Sequence, residues 1–184
     1  MSGGLDSAYS IASPADCLRV YRDWAESYDA GFAAAMDYLL PAHVARAFLA
    51  AGGTGPVLDV GAGTGLLAER LVGMGFGGVI DGVDLSPEML GRAREKAIYR
   101  DLVQADVTAP LALAGGYAGI VSSGTFTHGH VGPEALPHIL ALARRGAQVA
   151  ISVNTGVFAA QGFAAVLEAL PIEGLQLIEV EIYG

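Results

Sequence analysis

One stretch of the chain decides the fold: Val57-Leu58-Asp59-Val60-Gly61-Ala62-Gly63-Thr64-Gly65. Its opening residues predict a short buried strand, and the apolar pattern over residues 64–74 predicts a helix directly after it. Three glycines between the two elements permit a tight turn and let ligand atoms approach the backbone closely. The stretch therefore predicts a strand–loop–helix unit whose loop binds a ligand.

Further apolar strands follow along the chain, separated by helical patterns. Ser86 is a good N-cap and Pro87 suits the first helical position. Short strands that alternate with helices indicate an α/β fold, with a mostly parallel sheet and helices on both faces. We predict strands over residues 78–84, 99–104, 118–123, 148–153 and 175–182, and helices over 87–97, 133–144 and 156–169.

The region before this stretch predicts a helical cap, over residues 14–52, on a single domain that spans residues 1–184. Residues 1–13 are rich in serine and glycine, so we expect them to be flexible. A helix over 15–30 would carry Tyr21, Trp24 and Tyr28 on one face, either as core packing or as a lid. A second helix over 32–52 contains Pro41, which predicts a kink or the start of a new helix.

Composition restricts the partners that this chain can bind. Its 184 residues suffice for one α/β domain, and 53% of them are hydrophobic. A net charge of −9, with Lys96 as the only lysine, disfavours nucleic acids and anionic membranes. Cys17 is the only cysteine, and neither a secretory signal nor a bilayer-spanning run is visible. We therefore expect a cytoplasmic protein.

Three aspartates follow or end predicted parallel strands, at the edge where open α/β sheets bind ligands. Asp59 precedes the glycine loop and would oppose a pyrophosphate, so it suits a cationic ligand better. Asp84 could accept bonds from both hydroxyls of an adenosine ribose, and Asp106 from an adenine amino group. The loop departs from the dinucleotide pattern G-x-G-x-x-G, because Leu66 takes the place of its last glycine, and it lacks the Gly-Lys-Ser/Thr of a P-loop.

These motifs resemble the first three motifs of class I S-adenosylmethionine-dependent methyltransferases. They are the stretch 57–65, the run Val83-Asp84-Leu85-Ser86-Pro87-Glu88-Met89, and Asp106. The stretches 21–29 and 123–131 are similar to methyltransferase-like proteins of the Williams–Beuren region type and their bacterial relatives. The resemblance implies a Rossmann-like fold and S-adenosyl-L-methionine as the cofactor.

The resemblance also implies a role for individual residues. The glycines of the loop would line the methionine part of the cofactor, and Asp59 would help order the loop or reach the amino group. Asp84 would hold the ribose, while the adenine would lie among residues after the second and third strands. Ser123 and Gly124 would border the sulfonium, and Tyr21 and Tyr28 would come from an N-terminal helix that closes over the cofactor. The predicted cofactor residues are Tyr21, Tyr28, Asp59, Gly61, Gly63, Gly65, Asp84, Leu85, Met89, Asp106, Val107 and Ser123.

In the superfamily pattern a seventh strand would follow the predicted strand 175–182. We expect this strand to be missing here, or the polypeptide to be a shortened one. We expect a six-stranded sheet with residues 174–184 ordered. An open strand edge carries unpaired backbone groups that invite pairing with another chain, so a homodimer is a further expectation.

His128 and His130 follow the predicted fourth strand, on the side where a methyl acceptor would arrive. We predict His128 as the catalytic base, with a structural loop role as the alternative. The H-x-H spacing lacks a convincing third ligand, so we expect no metal.

The predicted function is a methyltransferase that uses S-adenosylmethionine and acts on an unidentified small molecule or protein. One alternative is a non-catalytic module that binds this cofactor and is regulatory, or is inactive because its C-terminus is shortened. A nicotinamide-dependent dehydrogenase is a more distant alternative.

Overall fold

The computed structural model describes residues 38–183, so the predictions for the helix over 15–30, with Tyr21 and Tyr28, lie outside the described residues. Within the described range the helices are α1 (Leu40–Ala50), α2 (Leu66–Gly73), α3 (Pro87–Glu95), α4 (Leu136–Leu140), α5 (Thr155–Ala160) and α6 (Phe163–Ala169). The strands are β1 (Val57–Val60), β2 (Ile80–Asp84), β3 (Asp101–Gln104), β4 (Tyr117–Phe126) and β5 (Ala143–Val153). Pro41 lies in the first turn of α1, which agrees with the prediction that a helix starts there.

The described strands form one parallel sheet in the order β3-β2-β1-β4-β5. Strand β1 is central and buried along its whole length, as expected for a parallel strand covered on both faces. Alternate residues of β1 enter different cores: Val57 packs with α1 and α2, whereas Leu58 and Val60 pack with α6. The predicted Rossmann-like α/β fold is confirmed.

The amino ends of β2 and β4 are tied together by side chains. Asp81, near the start of β2, is 4% exposed and forms an ion pair with Arg100. The hydroxyl of Tyr117, at the start of β4, donates a hydrogen bond of 2.9 Å to the same carboxylate. Burial, followed by the bond to Asp81, raises the pKa of Tyr117 to about 12. The buried charge at this end of the sheet is therefore paired with a cation and a hydroxyl donor.

The prediction of a six-stranded sheet is wrong for the described residues. The segment 175–182 forms no strand, and the residue that follows it, Tyr183, makes an isolated antiparallel bridge with Tyr38. A backbone hydrogen bond of 2.9 Å runs from the N–H of Leu39 to the carbonyl of Ile182. Strands pair only when their backbones lie about 4.8 Å apart, and this segment faces β5 across a groove instead.

Two predicted helices are also shorter than expected. The helix predicted over 133–144 is a 3₁₀ turn, Pro133–Ala135, followed by α4, and β5 already begins at Ala143. The helix predicted over 156–169 is interrupted at Gly162, whose φ of +72° is in the left-handed region. Glycine adopts that conformation without the cost that a side chain brings, so the chain can turn there.

Candidate functional site

A groove runs along the carboxyl ends of the strands and collects most of the predicted cofactor residues. The predicted residues on its wall are Gly61, Gly63, Asp84, Leu85, Met89, Asp106, Val107 and Ser123. They come from four separate chain segments, after β1, β2, β3 and within β4. Asp59 and Gly65 do not line the groove. The topology therefore brings the loop and the acidic residues of the second and third strands to one surface.

The three loop glycines all have positive φ values, and a side chain at each position would meet different surroundings. A Cβ on Gly61 would lie 2.0 Å from Oγ1 of Thr125, so this glycine lets the loop touch β4. A Cβ on Gly65 would lie 3.1 Å from the ring of Tyr99. A Cβ on Gly63 would meet no atom within 4 Å, although Gly63 has a φ of +54° and lines the groove. The space beside Gly63 is therefore open to a ligand.

Asp84 connects the glycine loop to the start of α3. Its Oδ2 accepts the N–H of Gly63 and its Oδ1 accepts the N–H of Ser86, each at 2.8 Å. Burial raises the pKa of this carboxyl, and backbone hydrogen bonds from Ser86, Gly63 and Leu85 oppose the shift. Each carboxylate oxygen can accept a further bond. The side chain can therefore fix both loops and still receive ligand hydroxyls.

Asp59 lies beneath the glycine loop and is only 1% exposed. Its Oδ2 accepts a 2.7 Å hydrogen bond from the hydroxyl of Tyr99, and its Oδ1 is buried without a partner among the described residues. Burial raises its pKa to about 7; the bond from Tyr99 opposes this shift and the charge of Asp84 adds to it. Sequence reasoning missed Tyr99, whose only signal was an aromatic residue just before β3.

The predicted adenine side of the groove is formed by α3 and the segment after β3. Ser86 caps α3 by accepting the N–H of Met89 at 3.2 Å, as its position predicted. Met89 and Val107 are buried apolar residues on the groove wall. Asp106 is exposed, and its Oδ1 accepts bonds from the N–H and hydroxyl of Thr108. Its contact with an adenine amino group stays a prediction.

The end of β4 supplies hydroxyl groups. Ser122 and Thr125 both donate to the carbonyl of Val60, at 2.7 and 3.0 Å, and so hold β4 against the start of the loop. Ser123 lines the groove, and its buried hydroxyl has no partner among the described residues. Gly124 follows with a φ of +81° and donates its N–H to Ser152. A buried polar atom facing a groove is a ready contact for a ligand.

The two histidines after β4 occupy different surroundings. His128 is exposed, does not line the groove, and lies beside Gly156 at the start of α5. His130 is partly buried and lines the groove, and burial lowers its pKa. Within residues 38–183 no helix is long and apolar enough to cross a bilayer. The same residues contain no group of three or more His, Cys, Asp or Glu side chains arranged to hold a metal.

The sequence matches a family model described as a methyltransferase domain over residues 57–148. The match begins at β1 and ends in β5, so it contains the glycine loop, Asp84, Asp106 and the end of β4. It spans half of the chain, which therefore belongs to the methyltransferase domain family.

Solved structures of methyltransferases share the fold. The DhpI–SAH complex superposes with a TM-score of 0.57 at 24% identity, over 73% of this chain and 65% of DhpI. An S-adenosylmethionine-dependent methyltransferase from Clostridium acetobutylicum gives 0.55 at 20% identity, over 77% of this chain and 61% of the other. SAM-bound CalS10, an amino pentose methyltransferase from Micromonospora echinaspora, gives 0.52 at 24% identity, over 62% and 49%. This chain thus spans about half to two thirds of their lengths. No curated protein matches it at a significant level.

Proposed function

We propose that this chain binds S-adenosylmethionine in the groove and transfers its methyl group to an acceptor. The observation that carries the proposal is Asp84, which accepts backbone N–H groups from the glycine loop and from the start of α3 at the groove wall. The fold shared with the SAH complex of DhpI and with SAM-bound CalS10 supports the choice of cofactor.

The described residues fit such a cofactor. The open space at Gly63 accommodates the methionine part close to the backbone, and the free lone pairs of Asp84 suit ribose hydroxyls. The apolar wall that contains Leu85, Met89 and Val107 suits the adenine ring. The buried hydroxyl of Ser123 lies where the sulfonium end is proposed.

The cofactor supplies an activated methyl group, so the chain's own task is to align the acceptor and exclude water. A base is needed only when the acceptor must lose a proton. Asp59 acts from beneath the loop, because its side chain is buried and bonded to Tyr99. The carboxylates at this end of the sheet favour a cationic cofactor over an anionic one.

The acceptor is proposed to be a small molecule or a protein. The net charge of −9 supports neither nucleic acid nor an anionic membrane as a partner. Membership of the Williams–Beuren-type group, a cytoplasmic location and a homodimer are further proposals that rest on the sequence. The sequence alone also offered His128 as the candidate base, which stays untested.

Calorimetry with S-adenosylmethionine, S-adenosylhomocysteine and NAD tests the proposal. We expect binding of the first two and none of NAD. Formation of S-adenosylhomocysteine with acceptor mixtures separates an enzyme from a non-catalytic binding module. A folded chain that binds neither S-adenosyl compound would overturn the proposed function.

A further inference from the structure

We propose that His130 is the histidine that faces the reacting methyl group and takes the proton that the acceptor loses. This inference rests on the proposed function and deepens it, because it selects one of two neighbouring histidines. Two observations support it: the turn that the chain makes after β4, and the position of His130 on the groove wall.

The turn after β4 sends the two histidines to different sides. Phe126, at the end of β4, pairs with Val153, and its carbonyl accepts the N–H of Asn154 at 2.9 Å. The N–H of His130 then returns to the carbonyl of Thr127 at 3.2 Å, which closes a tight turn. Gly129 has a φ of +72° inside this turn. The reversal leaves His128 exposed beside α5 and places His130 on the groove wall.

The position of His130 is held from both sides. Thr127 precedes the turn and also lines the groove. Val131 packs against the main hydrophobic core, and Pro133 is buried at the start of the 3₁₀ turn. The nearest acidic side chain along the chain is Glu134, whose carboxylate accepts the N–H of Gly132. The backbone on both sides of His130 is therefore held in place, which helps to position a proton acceptor.

His130 shares the groove wall with residues at the end of β4, where the acceptor is proposed to bind. Ser123, Gly124 and Thr127 line the same groove at the end of β4, while Gly63 and Asp84 line it from the cofactor side. Burial lowers the pKa of His130, which keeps the imidazole neutral and able to accept a proton near pH 7.

The proposed step transfers the methyl group to the acceptor and removes one proton from it. A lone pair on the acceptor nitrogen or oxygen forms the new bond to the methyl carbon, and the carbon–sulfur bond breaks with its electron pair on sulfur. The acceptor's N–H or O–H proton moves to the His130 imidazole and then to solvent. The products are the methylated acceptor, the neutral thioether S-adenosylhomocysteine and a proton.

The chain has four histidines, so their imidazole pKa values can be followed together by NMR. Assignment uses the single variants His130→Gln and His128→Gln. S-adenosylmethionine and S-adenosylhomocysteine differ by one methyl group and one positive charge, at the sulfur. A histidine facing that sulfur should therefore titrate about half a pKa unit lower with the former than with the latter. His138, which is not on the groove wall, serves as the distant reference.

A lower pKa for His130 in the S-adenosylmethionine complex, with a smaller change at His128, supports the assignment. Equal values for His130 in the two complexes, or a larger response at His128, overturn it while leaving the proposed cofactor binding intact. A chain that binds neither compound by calorimetry overturns the proposed function and this inference with it.

Discussion

The two edge strands of the sheet differ in length and in what lies beside them. β3 has four residues, whereas β5 has eleven, with Arg144 and Arg145 near its start, and faces the segment 175–182 without pairing to it. Leu177 and Ile178 of that segment are 67% and 68% exposed. A short edge strand offers fewer unpaired backbone groups to another chain than a long open one.

The same contrast extends to the groove. On the β1–β3 side, Asp84 and Tyr99 hold the glycine loop through side-chain hydrogen bonds to a backbone amide and to Asp59. On the β5 side, the wall includes the unpaired C-terminal segment. The cofactor half is thus cross-linked internally by side chains, while the C-terminal segment is joined to the start of α1 by the bridge between Tyr183 and Tyr38 and the bond from Leu39 to Ile182. We therefore expect mutations in the C-terminal segment to leave cofactor affinity nearly unchanged, and mutations in the glycine loop to leave that segment nearly unchanged.

The largest effect is expected from Gly63→Val. The side chain would enter the open space on the groove wall, so we expect cofactor affinity to fall by about 100-fold or more. Gly75→Val is the matched control, because Gly75 also has a positive φ and open space but does not line the groove. Both variants should lose about 1–2 kcal/mol of stability from left-handed strain. Calorimetry showing equal losses of affinity in the two would contradict the loop assignment.

Replacing Asp84 by alanine should weaken cofactor binding by roughly 1–3 kcal/mol, because charge-assisted bonds to the ribose and the link between two loops are lost. Asp101→Ala removes the same charge at the amino end of β3 and should leave affinity unchanged. Unchanged calorimetric affinity in Asp84→Ala would exclude this carboxylate from the site.

The raised pKa of the buried Asp59 predicts that the free energy of unfolding depends on pH. Its pKa is about 7 in the folded chain, against about 3.9 unfolded. Between these values the folded state holds a proton that the unfolded state has released, so stability falls as pH rises. We expect the free energy of unfolding to drop by about 2 kcal/mol more in the wild type than in Asp59→Asn between pH 5 and pH 7.

Urea titrations at both pH values measure this difference. Tyr99→Phe removes the bond that holds the pKa down, so it should move the stability loss to higher pH. Parallel pH dependences in the wild type and in Asp59→Asn would show that this carboxyl does not carry the effect.

The smallest effect on cofactor affinity is expected at the open edge. Deletion of residues 174–184 should change that affinity by no more than about twofold, since the bonds that fix Gly63, Asp84 and Tyr99 involve none of these residues. Sedimentation of the full chain and of the deletion reports whether the β5 edge supports a homodimer. A large loss of affinity in a folded deletion variant would show that the C-terminal segment supports the cofactor site.

The sequence predicted the parts of the fold that local patterns determine. Strand β1, the glycine loop and the cap at Ser86 follow from apolar runs, glycine spacing and cap chemistry. The segment 175–182 was mispredicted, because its alternating pattern fits a strand while strand formation also requires a neighbouring backbone.

The sequence predicted which chain segments form the site, but not which side chains contact one another there. Spacing placed Asp84 at the end of β2, but it could not show that Tyr99 reaches Asp59 across forty positions or that Thr125 touches Gly61. Likewise, the pair His128 and His130 read the same in the sequence. Only the turn at Gly129 separates an exposed histidine from one on the groove wall.

The ion pair between Asp81 and Arg100 has a consequence for the rate at which ligands arrive. Because it compensates the buried charge of Asp81 at the amino end of β2, the carboxylate of Asp84 at the carboxyl end is the charge of this strand whose field reaches a ligand in the groove. Such a field accelerates the encounter with a cation and slows the encounter with an anion, and added salt weakens both effects. The ion pair at the amino end of β2 therefore affects how fast a cationic ligand reaches the groove at the carboxyl end.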